Sequence, residues 1–482
     1  MCFQLVLFNS AAFLFIFLPI TWIGYWACAS RGKASLAKIV LLAASCVFYA
    51  ACDWRFLPLL LSSISVNHLV AVHLLRDGSR RQWALRFALI ANLLVLGYFK
   101  YWVWVSGAFI AAGWLAVDGI SKIVLPLGIS FFTFHVISFL VDTYRGKAIP
   151  GSWLDSAIYF MFFPHLVAGP ILSHRDFAPQ LALLRLPSDA WAMRAVVLIV
   201  FGLAKKLLIA DTLARYVVAV YWPANGATSI GFFDAWIAVA GYTAQLYYDF
   251  SAYCEIALGL AMLFGFRFPI NFWSPYKSAT IQEFWGRWHI TLGAFLRDYV
   301  YIPLGGSKLG FGRGLIAVAI AFGLGGIWHG AGLTFLLWGC LHASYVVMFR
   351  LWQRQPWRLP NAFAVAITLF AVMFAWVPFR ATDIHQAMVI WKGMVGGFDV
   401  ALPAFVASAL SLSELSSATG RYGGLEAVVL AVVFAWMLTA PNLIEYVSHF
   451  IFRRRSIVLL ASIWLAVLFS LALPTEFLYF AF

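Results

Sequence analysis

The sequence predicts an all-α, polytopic membrane protein, and two observations carry that prediction. Of its 482 residues 63% are hydrophobic and 11% charged, with a mean hydropathy of +0.89, a balance that no soluble globular composition matches. Apolar runs of roughly 15 to 22 residues recur from Phe8 to Leu473, and a helix needs about 20 to cross a bilayer. About a dozen transmembrane, re-entrant and interfacial helices follow. The runs are continuous, without the alternation of barrel strands, which argues for helices throughout.

The first run, Phe8 to Cys28, has no Lys or Arg ahead of it and a basic stretch behind it. That is the reverse of a cleavable signal peptide, so the run reads as a retained helix. Basic stretches recur at Arg31/Lys33/Lys38, Arg76/Arg80/Arg81/Arg86, Arg145/Lys147, Arg350/Arg354/Arg358 and Arg453/Arg454/Arg455, as short cytoplasmic loops do. Keeping all five inside requires hairpins that turn near Asp53 and Asp118, puts the stretch 381–424 outside, and leaves both termini outside the cytoplasm. The net charge of +14 is therefore assigned to orientation in the lipid bilayer and not to nucleic acid.

Trp153 to Leu172 is apolar but broken by Pro164, Gly169 and Pro170, and is expected to be re-entrant. Arg194 to Arg215 mixes charge with aliphatic residues, and Gln282 to Asp298 mixes it with aromatics, as helices along an interface or beside a wet cavity would. With no internal repeat and no soluble segment, residues 1–482 read as a single membrane domain. The six cysteines are scattered without a C-x-x-C pair, so they are expected to be small buried hydrophobes, with neither a metal site nor a disulfide framework.

Ionisable residues are costly in hydrocarbon and mark a path or a site. They concentrate between Gln245 and His342, where Asp249, Asn271, Glu283, Arg287, Arg297 and Asp298 are candidates to line a substrate channel. His329 is framed by Gly325, Gly326, Gly330 and Gly332, which leave room for a substrate or for another backbone. A neutral imidazole there could take a proton from an attacking hydroxyl. It could equally be a structural histidine at a glycine-packed helix crossing. His289 follows Glu283 and Arg287 on what reads as an aromatic helix, with those two at ion-pair spacing. No H-E-x-x-H pattern is present, and the other histidines, His342 among them, show no ligand spacing.

These residues resemble the membrane-bound O-acyltransferase superfamily, in particular its bacterial alginate O-acetylation and teichoic-acid D-alanylation branch. The resemblance runs through Leu125-Pro126-Leu127-Gly128-Ile129-Ser130-Phe131, Phe163-Pro164, Ala168-Gly169-Pro170-Ile171, the block Tyr248 to Gly306, and Trp328-His329-Gly330. It implies a catalytic His329 and a second functional histidine at His289. It further implies acetyl-CoA as a cytoplasmic donor with no bound cofactor, a bacterial inner-membrane location, an exported cell-surface polysaccharide as final acceptor, and a periplasmic acetyltransferase as partner. The chain departs from the pattern at His165, Cys254-Glu255, Ile270 and Gly286, positions that bear on substrate or partner more than on the chemistry.

The end of the chain, Phe477-Leu478-Tyr479-Phe480-Ala481-Phe482, resembles a C-terminal motif of this family in which a tyrosine carries the acyl group. The resemblance implies that Tyr479 folds back toward His329. By composition alone the tail also fits an interfacial aromatic anchor. Two other readings stay open at this point: D-alanyl transfer to an envelope polymer, and a transporter or flippase, whose broken helices also gather polar residues.

Overall fold

In hydrocarbon a backbone satisfies its polar groups only in a helix or a closed barrel, and these continuous apolar runs, without strand alternation, fold as helices. The computed structural model describes residues 7–75, 78, 80–114, 123–184, 186–221, 229–397, 424–473 and 478. Among them every regular element is helical. Five helical stretches are long and apolar enough to cross a membrane: Ala34–Leu74, Arg81–Ile110, Phe311–His329, Leu333–Trp352 and Asn361–Arg380. Shorter apolar helices cover Phe13–Ala29, Ile129–Tyr144 and Leu425–Thr439. Arg76, the turn near Asp118, Arg421, and the tail residues 477 and 479–482 lie outside the described residues. The chain divides into two compact units.

The first unit comprises Met1–Leu203, Tyr253–Ile270 and Val447–Leu473. In it α1 (Leu18–Ala29) turns through Arg31 and Lys33 into α2 (Ala34–Asp53). α2 ends at Asp53, whose extended backbone caps the next turn and whose carboxylate pairs with Arg55 at 2.6 Å. α3 (Leu57–Leu69), α4 (Arg81–Ala111) and α5 (Ile129–Tyr144) follow. The stretch broken by Pro164 and Gly169 is a buried short helix, α6 (Trp153–Met161), a kink at Phe162, and a single turn, α7 (Phe163–Leu166). Ser152 caps α6, and Asp155 in its first turn pairs with Lys38 of α2 at 2.6 Å. Lys38 thus joins two helices instead of marking a loop. Gly128 enters α5 at φ +71, and a Cβ there would lie 2.6 Å from the Leu166 carbonyl oxygen, so only glycine permits this approach to α7. α8 (His174–Ala182) and α9 (Asp189–Ala204) complete this stretch of chain.

The second unit comprises Ala204–Ala252, Asn271–Tyr446 and Pro474–Phe482. A π-turn at Lys205–Ala210 leads into α10 (Asp211–Tyr221), and α11 (Phe232–Leu263) follows, belonging to this unit as far as Ala252. The charges of 194–215 read as helices along an interface or beside a wet cavity, and Lys206 among them is buried. It is 1% exposed and pairs with both Asp211 and Asp249 at 2.7 Å. Two carboxylates hold the ammonium charged away from water.

The segment 282–298 is not one helix either. It forms α12 (Ile281–Arg287), a break at Trp288 and His289, α13 (Ile290–Leu296), and a π-turn at Arg297–Tyr301. α14 (Phe311–His329) and α15 (Leu333–Trp352) make a tight hairpin, followed by α16 (Asn361–Arg380). A Cβ on Gly326 would lie 2.4 Å from the Phe335 carbonyl oxygen, and one on Gly339 would lie 2.5 Å from that of Phe322. These glycines let two backbones touch across the hairpin.

Candidate active site

His329 is the last residue of α14, and the extended Gly330 ends the helix there. Its imidazole is buried and packs edge-on against Trp338 of α15 and Phe379 of α16, each with ring centroids 5.0 Å away, and against Trp328 at 4.8 Å. The glycine frame has a packing use. Besides the backbone crossing, Gly330 clears the Phe335 ring, which would lie 2.1 Å from a Cβ. Close approach by another backbone is thus one use of the glycines, and it brings the imidazole into an aromatic box.

His289 occupies the break between α12 and α13 in a left-handed conformation, φ +44, which is uncommon for a residue with a side chain. The break is braced by main-chain bonds to a distant segment: Trp273 donates to the Arg287 carbonyl at 2.9 Å, and Ile290 to the Asn271 carbonyl at 3.0 Å. The side chain of Asn271 completes the brace. Its Oδ1 accepts from His289 Nδ1 at 3.2 Å, from the Thr291 N–H at 3.2 Å and from the Thr291 hydroxyl at 3.0 Å. The His289 ring is buried against Phe250 at 4.8 Å and Trp328 at 6.4 Å. Burial pushes its pKa down to about 3, so the imidazole is neutral. Trp328 therefore touches both candidate histidines.

The remaining candidates separate. Asn271 belongs with His289. Asp249, 1% exposed, is held by Lys206 and accepts the backbone N–H of Leu478 at 3.1 Å. Glu283 and Arg287 form the expected ion pair at 2.7 Å, and Glu283 also accepts from the Ala279 N–H while Thr280 caps its own N–H, so this pair secures the start of α12. Arg297 and Asp298 pair with each other at 2.7 Å, with Arg297 mostly exposed. Tyr479 lies outside the described residues. Among the described residues no group of three or more His, Cys, Asp or Glu side chains is arranged to hold a metal ion.

One residue that sequence reasoning set aside stands out. His342 of α15 is fully buried among Phe284, Trp285, Trp338 and Trp376, and Trp338 also packs on His329. Among the described residues neither ring nitrogen of His342 has a hydrogen-bond partner. The signal available in the sequence was its spacing, one helical turn after Trp338.

The sequence profile of the membrane-bound O-acyltransferase family matches residues 144–379. The chain is 37% identical over 428 residues to a peptidoglycan O-acetyltransferase of Helicobacter pylori, covering 81% of this chain and 80% of that one. It is 36% identical over 440 residues to a probable alginate O-acetylase of Pseudomonas syringae, covering 89% and 80%. This chain belongs to the membrane-bound O-acyltransferase family. It is a multi-pass membrane protein and an O-acyltransferase. A teichoic acid D-alanyltransferase of Bacillus subtilis is more distant, 26% identical over 281 residues, covering 54% of this chain and 70% of that one. The block holding His289, Asn271 and His329 falls inside the matched region.

Proposed function

We propose that this O-acyltransferase takes acetyl groups from acetyl-CoA on the cytoplasmic side of a bacterial inner membrane and passes them outward for O-acetylation of an exported polysaccharide. His329 is the general base, and both termini lie outside the cytoplasm. The observation that carries this reading is the buried His329 imidazole at the end of α14, in an aromatic box whose Trp328 also packs on His289. The names of the relatives at 36–37% identity support acetyl as the group and a glycan as the acceptor. The D-alanyl reading has the weaker support of a relative matched over 54% of the chain.

In the first transfer the hydroxyl of Tyr479 attacks the thioester carbonyl and His329 accepts its proton. The tetrahedral intermediate collapses with cleavage of the C–S bond, and the departing thiolate takes the proton back from the imidazolium. An aryl ester remains, with phenolate as a good leaving group. A nucleophile of a periplasmic acetyltransferase then takes the acetyl group and frees the phenol. His289, neutral and oriented by Asn271, borders the same tryptophan and orients the acyl group.

The test uses inverted membrane vesicles carrying the full chain, supplied with acetyl-labelled CoA or, in parallel, with a labelled D-alanyl carrier. Label should enter a base-labile ester from acetyl-CoA alone, and His329→Ala at equal membrane level should lose it by roughly a hundredfold or more. Near-wild-type labelling in that variant removes His329 from the chemistry, and label from the D-alanyl donor alone replaces the acetyl reading.

A further inference from the structure

We propose that the buried carboxylate of Asp249 is a latch for the C-terminal segment, with Lys206 holding that carboxylate in place. Asp249 lies in α11 and is 1% exposed. Lys206 approaches its Oδ1 at 2.7 Å, and its Oδ2 accepts the backbone N–H of Leu478 at 3.1 Å, from 229 residues further along the chain. The Leu478 side chain is buried as well.

An ion pair this deep is a poor device for stability, because desolvation offsets most of the attraction. Its use lies in what the geometry leaves for the second oxygen. The π-turn at Lys205–Ala210 aims Lys206 inward, and such turns recur at functional positions. Asp211 shares the ammonium at 2.7 Å, so Lys206 keeps a counter-charge when the tail moves. The carboxylate reads a main-chain N–H and not a side chain, so it sets the position of the tail at residue 478 whatever its sequence. A charged acceptor makes that bond stronger than a neutral one.

The residue after Asp249, Phe250, packs on the His289 ring at 4.8 Å. The latch is thus one residue from the wall of the candidate site, and the residue it holds is one before Tyr479 in the chain. Its consequence for catalysis rests on the proposed role of Tyr479, in which Asp249 is a positioning residue.

Leu478→Pro removes the one N–H the latch uses, while Leu478→Met keeps both the N–H and the buried apolar volume. Hydrogen exchange of the C-terminal peptide, read by mass spectrometry on the full chain in detergent, reports the latch without reference to activity. Relative to wild type, exchange of the remaining tail amides should speed up about tenfold or more in Leu478→Pro and in Asp249→Asn, and stay unchanged in Leu478→Met. Wild-type exchange in the first two variants, or equal acceleration in all three, overturns the latch regardless of acetylation. A released tail with kcat lowered at constant KM for acetyl-CoA confirms latch and positioning together. A released tail with unchanged acetylation keeps the latch and removes Tyr479 from the transfer, so the two failures are told apart.

Discussion

Asn271 fixes the tautomer of His289. The amide atom that meets His289 Nδ1 at 3.2 Å also accepts the backbone N–H of Thr291. A main-chain N–H only donates, so that atom is the oxygen of Asn271, and Nδ1 of a neutral His289 must carry the proton. The basic lone pair is then on Nε2. Asn271→Ala leaves the buried donors of His289 and Thr291 without their acceptor and frees the ring to change tautomer. Acyl transfer should fall roughly tenfold to a hundredfold, the equivalent of about 1–3 kcal/mol, with insertion into the membrane retained. Labelled-acetyl incorporation normalised to protein level checks it, and unchanged transfer would separate His289 orientation from function.

The glycines near His329 divide by what a methyl group would meet. At Gly339 it would sit 2.5 Å from the Phe322 carbonyl oxygen, whereas at Gly323 nothing lies within 4 Å. Gly339→Val should force α14 and α15 apart, lower the melting temperature in detergent and reduce transfer, since overpacking costs about 1–3 kcal/mol or more. Gly323→Ala should leave activity intact and stabilise the helix by about 0.5–1 kcal/mol. Thermal melts of the two variants side by side test the hairpin, and equal behaviour would show that the crossing tolerates separation.

Much of this architecture was legible in the sequence because its causes are local. The kink at Phe162 follows from Pro164 and Gly169. The break at His289 was not legible. Residues 287–290 hold no proline or glycine, and the left-handed turn exists because 271–273 pairs with it from outside the local window. The partners of Lys206 were not legible for the same reason. Its charge pattern fits an interface or a wet cavity, and the pairing with Asp249 at 2.7 Å comes from far along the chain. His342 carried no ligand spacing, and only packing reveals that it shares Trp338 with His329.

Acid should destabilise the protein partly through His289. Burial pushes its pKa down from 6.5 to about 3, so between those values the unfolded chain binds a proton that the folded chain excludes. Stability is therefore full above pH 6.5 and falls as pH drops through that window, by about 1.4 kcal/mol per pH unit for this one group. His289→Gln cannot take up the proton, yet its amide can still reach Asn271. The loss of melting temperature between pH 7.5 and 5 should be smaller in this variant than in wild type, even if its starting value is lower. Identical slopes would mean that the folded protein admits the proton.

Tyr479→Phe tests the carrier role at the cost of a single oxygen atom. Leu478, the residue before it in the chain, is buried and its backbone N–H is bonded to Asp249. Phenylalanine keeps the aromatic volume and the main-chain N–H pattern of the tail, so anchoring, membrane insertion and folding should be unchanged. What it lacks is the nucleophile: without a phenol no aryl ester forms, and His329 has no hydroxyl proton to accept. Polymer acetylation should fall by at least a hundredfold, and labelled acetyl-CoA should leave no base-labile acetyl on the C-terminal peptide. A serine in place of Tyr479 should not restore transfer, because its alkyl ester is a poorer donor and its short side chain ends several ångströms closer to the backbone. Wild-type acetylation in Tyr479→Phe would leave the tail as an anchor and require the acetyl group to pass directly from thioester to an incoming acceptor.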